Sequence, residues 1–215
     1  VGGQDHVEFR GGTFHGPVTG SVEHHHHPVP IVTVTSTLPS PPAAFTGRDG
    51  ELGALSEALD PSTHGSPDAI LITAVGGLGG VGKTALALQA AHATRARFPG
   101  GALFINMRGY DRAPVAPEEA VLSFLRAFGV RGEDAPIAPE DRYSLYRSLL
   151  DSRASMLIFL DNVSEAAQVV PLLPGSTRHR VPVTSDCRAA DSPWALWPSS
   201  VGRISTLVCA AVAFS

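Results

Sequence analysis

Gly77-Leu78-Gly79-Gly80-Val81-Gly82-Lys83-Thr84 is a complete G-x-x-x-x-G-K-[ST] stretch, and what flanks it decides the fold. Ahead of it runs Ala69 to Val75 (AILITAV), apolar, rich in β-branched residues and of strand length. Behind it runs Ala85 to Phe98 (ALALQAAHATRARF), alanine-rich, with Leu86, Ala90 and Ala91 on one helical face. A strand, a glycine-rich loop and a helix in that order are the setting in which such a loop binds phosphate.

The physical reason lies in the residue types. Glycines open φ values closed to other residues, so successive N–H groups converge on phosphate oxygens. The helix start adds its partial positive charge. Gly77, Gly79, Gly80, Val81, Gly82 and Ala85 are therefore expected to line a nucleotide, Lys83 to reach its β- and γ-phosphates, and the Thr84 hydroxyl to ligate Mg²⁺. Gly77, Gly79 and Gly82 also spell G-x-G-x-x-G, a dinucleotide fingerprint, which asks for a carboxylate about 20 residues on, at the end of the next strand. The next strand ends near Asn106 and would leave Lys83-Thr84 unexplained, so the nucleoside-triphosphate reading is preferred.

A chain of 215 residues allows one ordinary α/β domain plus a tail. Its formal charge of −4, with lysine only at position 83 and no stripe of arginines, argues against direct nucleic-acid binding. Cys187 and Cys209 form no metal-ligand spacing. The phosphate loop implies a reducing compartment, so free thiols and a cytoplasmic location are expected. No signal peptide opens the chain, and the apolar run from Ile204 to Phe214 is too short to span a bilayer, so no membrane partner is expected.

Residues 1–44 read as a flexible, disordered tail of glycine, proline, histidine and β-branched residues. Within it Phe14, Val18 and Val22 recur at even spacing, which suits a strand with one sticky face, although Pro17 would delete a ladder donor. His24 to His27 are a solvated linker or tag remnant, with a labile metal site as the alternative. Residues 37–44 (TLPSPPAA) form a semi-rigid linker. A domain is expected over 45–185, followed by a divergent segment, 186–215. Leu52, Leu55 and Leu59 mark a first helix. Ala102 to Met107 is a second strand. Pro117 and Pro139 open two helices whose apolar faces carry Val121, Leu122, Leu125 and Phe128, then Leu145, Tyr146, Leu149 and Leu150.

Met156-Leu157-Ile158-Phe159-Leu160-Asp161-Asn162 has the form of a central parallel strand that delivers a carboxylate to its C-terminal edge. Asp161 is the expected Walker B partner of Thr84, holding Mg²⁺. A short helix is expected near Glu165 to Val170, ended by Pro171. Arg180 to Ser185 (RVPVTS) reads as a fourth strand with Pro182 as a blemish for a central position.

Taken together, FTGRDGEL, GGLGGVGKTALA, FPGGALFINMRGYD, LIFLDN, QVVPLLPG and RVPVTS resemble the nucleotide-binding core of bacterial NB-ARC proteins, which are STAND-class ATPases often fused to transcription-regulator domains. The resemblance runs from about Phe45 to Ser185. It implies a three-layer P-loop NTPase sandwich around a parallel sheet of order 2-3-4-1, with a fifth strand beyond strand 1. It places Phe45, Gly47 and Arg48 on the adenine side of the nucleotide and Thr184-Ser185 at the end of a sensor strand. It implies ATP or ADP with Mg²⁺ as cofactors, and Lys83, Asp161 and Asn162 as the residues nearest to any catalysis. The GGTFHGPVTGSV stretch is similar to short amyloid-type signalling motifs found ahead of such ATPases, through which a protein partner would be templated; an unstructured leader is the alternative.

The chain departs from that pattern in three places. Asp186 stands where the family places an arginine on the γ-phosphate, with Arg188 two places on; a carboxylate there repels a triphosphate. Asn162 follows the Walker B aspartate and cannot take a proton from water at neutral pH. After Ser185 no fifth-strand motif, helical lid or winged helix is recognisable, which reads as a truncated gene, a shifted reading frame, or a divergent C-terminus that still packs. The expected function is an ATP/ADP-binding switch module with slow or no hydrolysis. An active P-loop hydrolase or kinase, or a non-functional remnant, are the alternatives.

Overall fold

The computed structural model describes residues 36–43, 45–62, 70–76, 80, 82–186 and 204–208, with 70–74, 76 and 204–208 given by their backbone course. The elements run α1 (Asp49–Ala58), β1 (Ile70–Gly76), α2 (Lys83–Thr94), β2 (Gly101–Asn106), α3 (Pro117–Ala127), α4 (Pro139–Asp151), β3 (Met156–Asp161), β4 (Arg180–Ser185) and β5 (Ile204–Val208). The strands form one sheet of order β2-β3-β4-β1-β5, and each neighbouring pair is parallel. All strand C-termini therefore meet at one edge, where α/β folds place ligands.

β3 is buried along its whole length, as its unbroken apolar run requires of a strand covered on both faces. Its side chains alternate between two cores. Met156, Ile158 and Leu160 join the cluster under α3 and α4, while Leu157 and Phe159 join the cluster under α1 and α2. On the first side Tyr146 is fully buried between Phe124 and Phe128, with ring centroids 5.7 and 6.4 Å away, and its hydroxyl donates to the Leu172 carbonyl at 3.0 Å. On the second side α2 turns Leu86, Ala87, Leu88, Ala90 and Ala91 inward, and Phe104 meets Phe159 edge to face at 5.2 Å.

Local chemistry sets most boundaries. Pro117 and Pro139 begin α3 and α4, where a missing N–H costs nothing, and acidic residues fill both first turns. The inward faces differ in detail from the sequence reading: Ala120, Val121, Phe124 and Leu125 are buried on α3, and Tyr143, Tyr146 and Leu150 on α4, while Leu145 and Leu149 are only partly covered. The helix expected near Glu165 to Val170 is instead two 3₁₀ turns, Ala166–Gln168 and Val170–Leu172. Pro171 sits near the start of the second turn, a position that tolerates its missing donor, rather than ending a helix. Pro182 is indeed in a central strand. β4 pairs continuously with β1 through Thr73↔Pro182, but with β3 only at Arg180↔Leu157 and Val183↔Leu160, so the missing donor falls on the β3 side.

Two further segments add to the sequence reading. Residues 36–43, read as linker, lie on the domain: the Thr37 N–H donates to the Ala102 carbonyl at 2.9 Å, Phe104 N–H donates to Thr37 Oγ1 at 2.7 Å, and Leu38 packs on the α2-side cluster. β2 is an edge strand with free backbone groups, and this stretch takes them up. Ile204–Val208, in the segment read as divergent, pairs in parallel with β1 as β5. The Phe14, Val18 and Val22 pattern, the histidines 24–27, Cys187, Arg188 and Cys209 lie outside the described residues.

At its N-terminal end β4 begins with two buried polar residues. Arg180 donates to the carbonyls of Asp60, Pro61, Thr177 and His179 at 3.2, 2.9, 2.9 and 3.1 Å, tying the end of the α1 segment to the sheet. His179 is fully buried, and its Nδ1 accepts the Met156 N–H at 3.1 Å, which leaves the proton on Nε2. Burial, with the neighbouring Arg178 charge, pushes its pKa down to about 4.

Candidate functional site

α2 starts at Lys83, earlier than the sequence suggested, on a Gly82 cap with φ of 81°. That value is open to glycine and strained for other residues, and Gly80 at 79° has the same demand. Lys83 is thereby fixed in the first helical turn, and only 5 % of it is exposed. Gly77, Gly79 and Val81 lie outside the described residues.

Across from the helix start, β3 delivers Asp161, 4 % exposed. Thr84 Oγ1 donates to Asp161 Oδ1 at 2.7 Å, although the two residues are 77 apart in the chain. Thr184 Oγ1, near the end of β4, donates to the same oxygen at 2.5 Å, and Asn106 Nδ2, at the end of β2, reaches Asp161 Oδ2 at 3.3 Å. Asn162 follows with φ of 56°, its N–H held by Thr184 Oγ1 at 2.8 Å and its carbonyl by the Gly109 N–H at 2.7 Å. A Cβ on Gly109 would stand 2.4 Å from the Ser164 nitrogen, so the loops after β2 and β3 close on each other only with glycine there.

These residues surround a cavity of about 570 Å³, within the usual range of small-molecule sites. The loop and helix contribute Gly80, Gly82, Lys83, Thr84, Ala85 and Leu88; the strand ends contribute Asn106, Asp161, Asn162, Thr184 and Asp186. Ser40 and Pro42 form part of the wall as well. Phe45, Gly47 and Arg48 are not among its lining residues. Phe45 packs on the α1/α2 cluster, Gly47 is exposed with φ of 81°, and the Arg48 guanidinium lies against the loop, 4.0 Å from where a Cβ on Gly82 would be. Asp186 bonds to the Lys83 ammonium at 2.7 Å.

Asn106, Ser40 and Pro42 add to the residues singled out from sequence, and Thr184, expected to end a sensor strand, is in the wall as well. Asn106 had a legible signal, because it ends β2 in register with Asp161 at the end of β3. Ser40 and Pro42 had none, since nothing in a proline-rich stretch says which surface it will cover.

The donor set suits Mg²⁺. A hydroxyl and a carboxylate 2.7 Å apart are hard oxygen ligands, and no group of three or more His, Cys, Asp or Glu competes as a metal cage among the described residues. Thr84 and Asp161 are the residues that would hold it. Among the described residues no helix is long and apolar enough to cross a membrane.

A parallel sheet whose first strand leads toward a Lys-Thr helix start, faced by the aspartate of a neighbouring strand end, is the arrangement of the P-loop NTPase fold, and this chain has that fold. No family model matches it. Its sequence is similar to the regulatory protein AfsR of Streptomyces coelicolor, with 41 % identity over 166 residues that make up 74 % of this chain and 17 % of the relative. AfsR of Streptomyces griseus is 42 % identical over 154 residues, 72 % of this chain and 15 % of that protein. The chain thus spans less than a fifth of the length of these relatives. Among solved structures it is similar to the Aeropyrum pernix ORC1 protein in complex with DNA, with a TM-score of 0.52 and 21 % identity over 80 % of this chain and 47 % of that one. The Aeropyrum pernix ORC2 protein in its ADPNP-ADP complexes gives a TM-score of 0.52 and 18 % identity over 79 % and 49 %. At such identities the likeness is one of fold.

Proposed function

We propose that this domain is the ATP/ADP-binding switch module of a larger regulatory protein of the NB-ARC and STAND type. The observation that carries the reading is the Thr84–Asp161 contact of 2.7 Å beside a buried Lys83, at a helix start that opens on a cavity. Lys83 serves as a point charge for the outer phosphates, and the loop from Gly77 to Gly82 with Ala85 supplies N–H groups. Thr84 and Asp161 would hold Mg²⁺, which would supply neutralisation of phosphate charge. Thr184 and Asn106 hold the Asp161 carboxylate so that it meets the metal in one orientation.

Turnover is slow in this account. Asn162 can orient a water but accepts no proton from it, and its main chain is pinned on both sides by Thr184 and Gly109. A switch needs different affinities for two conformations rather than fast chemistry. The similarity to AfsR supports a regulatory role. With one lysine and a charge of −4, the domain is assigned no contact with nucleic acid and a cytoplasmic setting.

Equilibrium binding of ADP and ATP, with and without Mg²⁺, tests the reading. Saturable binding is expected, and its Mg²⁺ dependence disappears in Thr84→Ala. Absence of saturable binding rejects the nucleotide site, and turnover of about 10 per second or more, typical of enzymes, rejects the switch.

A further inference from the structure

The contact between Lys83 and Asp186 is the least expected feature of the site. Asp161 takes its hydrogen bonds from Thr84, Thr184 and Asn106, which makes the ion pair a separate link between the first residue of α2 and the exit of β4. Lys83 is 5 % exposed and Asp186 39 %, so one partner is a fixed buried charge and the other stands at the mouth of the cavity. A carboxylate and a phosphate oxygen take an ammonium through the same charge-assisted geometry. Both are anions, and two like charges at contact range disfavour each other strongly where water is partly excluded.

We propose that Asp186 is an internal competitor for the phosphate site, which makes the site select diphosphate over triphosphate. The proposal rests on the nucleotide reading of the site. A phosphate that engages Lys83 displaces the Asp186 carboxylate or sits beside it. A γ-phosphate adds a further anion in the same space, so ATP is penalised more than ADP. The group displaced is the Asp186 carboxylate and not β4 itself. Ser185 is held in the ladder opposite Gly76, its hydroxyl lies 2.9 Å from the Tyr110 hydroxyl, and Thr184 is tied to Asp161 and Asn162. β4 therefore stays in the sheet while the carboxylate just past its end gives way.

Dissociation constants of ADP and ATP for the wild-type chain, Asp186→Asn and Asp186→Glu test this. Asp186→Asn is expected to bind ADP about tenfold more tightly, the worth of one charge-assisted hydrogen bond, and to gain more for ATP than for ADP. Asp186→Glu keeps the charge and stays close to wild type. Equal affinities in wild type and Asp186→Asn overturn the competitor while leaving the nucleotide site intact. Weaker binding by Asp186→Asn, as for a lost metal ligand, overturns it too. No saturable binding in any of the three proteins rejects the nucleotide reading itself, and the competitor with it.

Discussion

At the entry of β4, His179 and Arg180 are buried against backbone carbonyls and one backbone N–H; at its exit, Thr184 and the residue just beyond, Asp186, meet the side chains of Asp161 and Lys83 around a cavity. Both ends bury polar groups in one strand of six residues, yet they serve different purposes. At the entry every named partner belongs to the main chain of the fold, so the contacts are closed and fix the segment after α1 to the sheet. At the exit the partners are side chains from α2, β2 and β3 that line the cavity, where the proposed nucleotide and metal would replace protein partners. Burial alone does not mark a site; convergence of exchangeable partners on open space does.

The entry should be sensitive in stability and silent in binding. Arg180→Met removes several hydrogen bonds to buried carbonyls and is expected to cost about 4 kcal/mol in urea unfolding. ADP affinity should be unchanged, and a parallel loss of affinity would join the two ends that are separated here.

His179 sharpens the contrast through pH. Its folded pKa of about 4 lies below the ordinary 6.5, so the folded state resists protonation. Above pH 6.5 the residue is neutral in both states and has no effect on stability. As pH falls from 6.5 toward 4 the unfolded chain takes the proton first, and stability drops by about 3 kcal/mol before levelling off. His179→Gln should flatten that part of the curve measured by denaturant midpoints from pH 7.5 to 4; an identical slope in the variant would place the acid sensitivity elsewhere.

At the exit the smallest expected effect is that of Asn106→Ala. It loosens one side of the Asp161 carboxylate through a long, partly exposed bond of 3.3 Å, so Mg²⁺-nucleotide binding should weaken by about threefold with stability unchanged. A change of stability with no change of binding would assign Asn106 to the fold.

How much of this was readable beforehand follows from the kind of interaction. The strand before the glycine-rich loop and the place of Asp161 at a strand end were legible because a buried parallel strand has to be apolar throughout, and a carboxylate ending it stands out. Lys83 and Thr84 were legible from spacing alone. The pairing of Lys83 with Asp186 was not, although Asp186 itself was conspicuous as a departure; its sign was clear but its partner depends on where β4 ends in space. Arg180 read only as the first residue of a strand and His179 was not singled out, since no local pattern reveals that Asp60 and Pro61 return to meet Arg180 from some 120 residues away. The 3₁₀ turns around Pro171 were read as a helix because both show short-range apolar spacing. The stretch at 36–43 was read as linker because proline-rich composition reports stiffness, not the edge strand that it meets.

The central claim is that the site at the exit end binds nucleotide through Lys83. Thermal unfolding with and without millimolar ADP and Mg²⁺, on the wild type and on Lys83→Ala, tests it most directly. At a thousandfold excess over Kd, nucleotide adds about 4 kcal/mol to wild-type stability, a rise of several degrees in Tm. The account predicts that Lys83→Ala loses most of this rise while its own Tm without nucleotide stays near that of the wild type. An equal rise in the variant would contradict it.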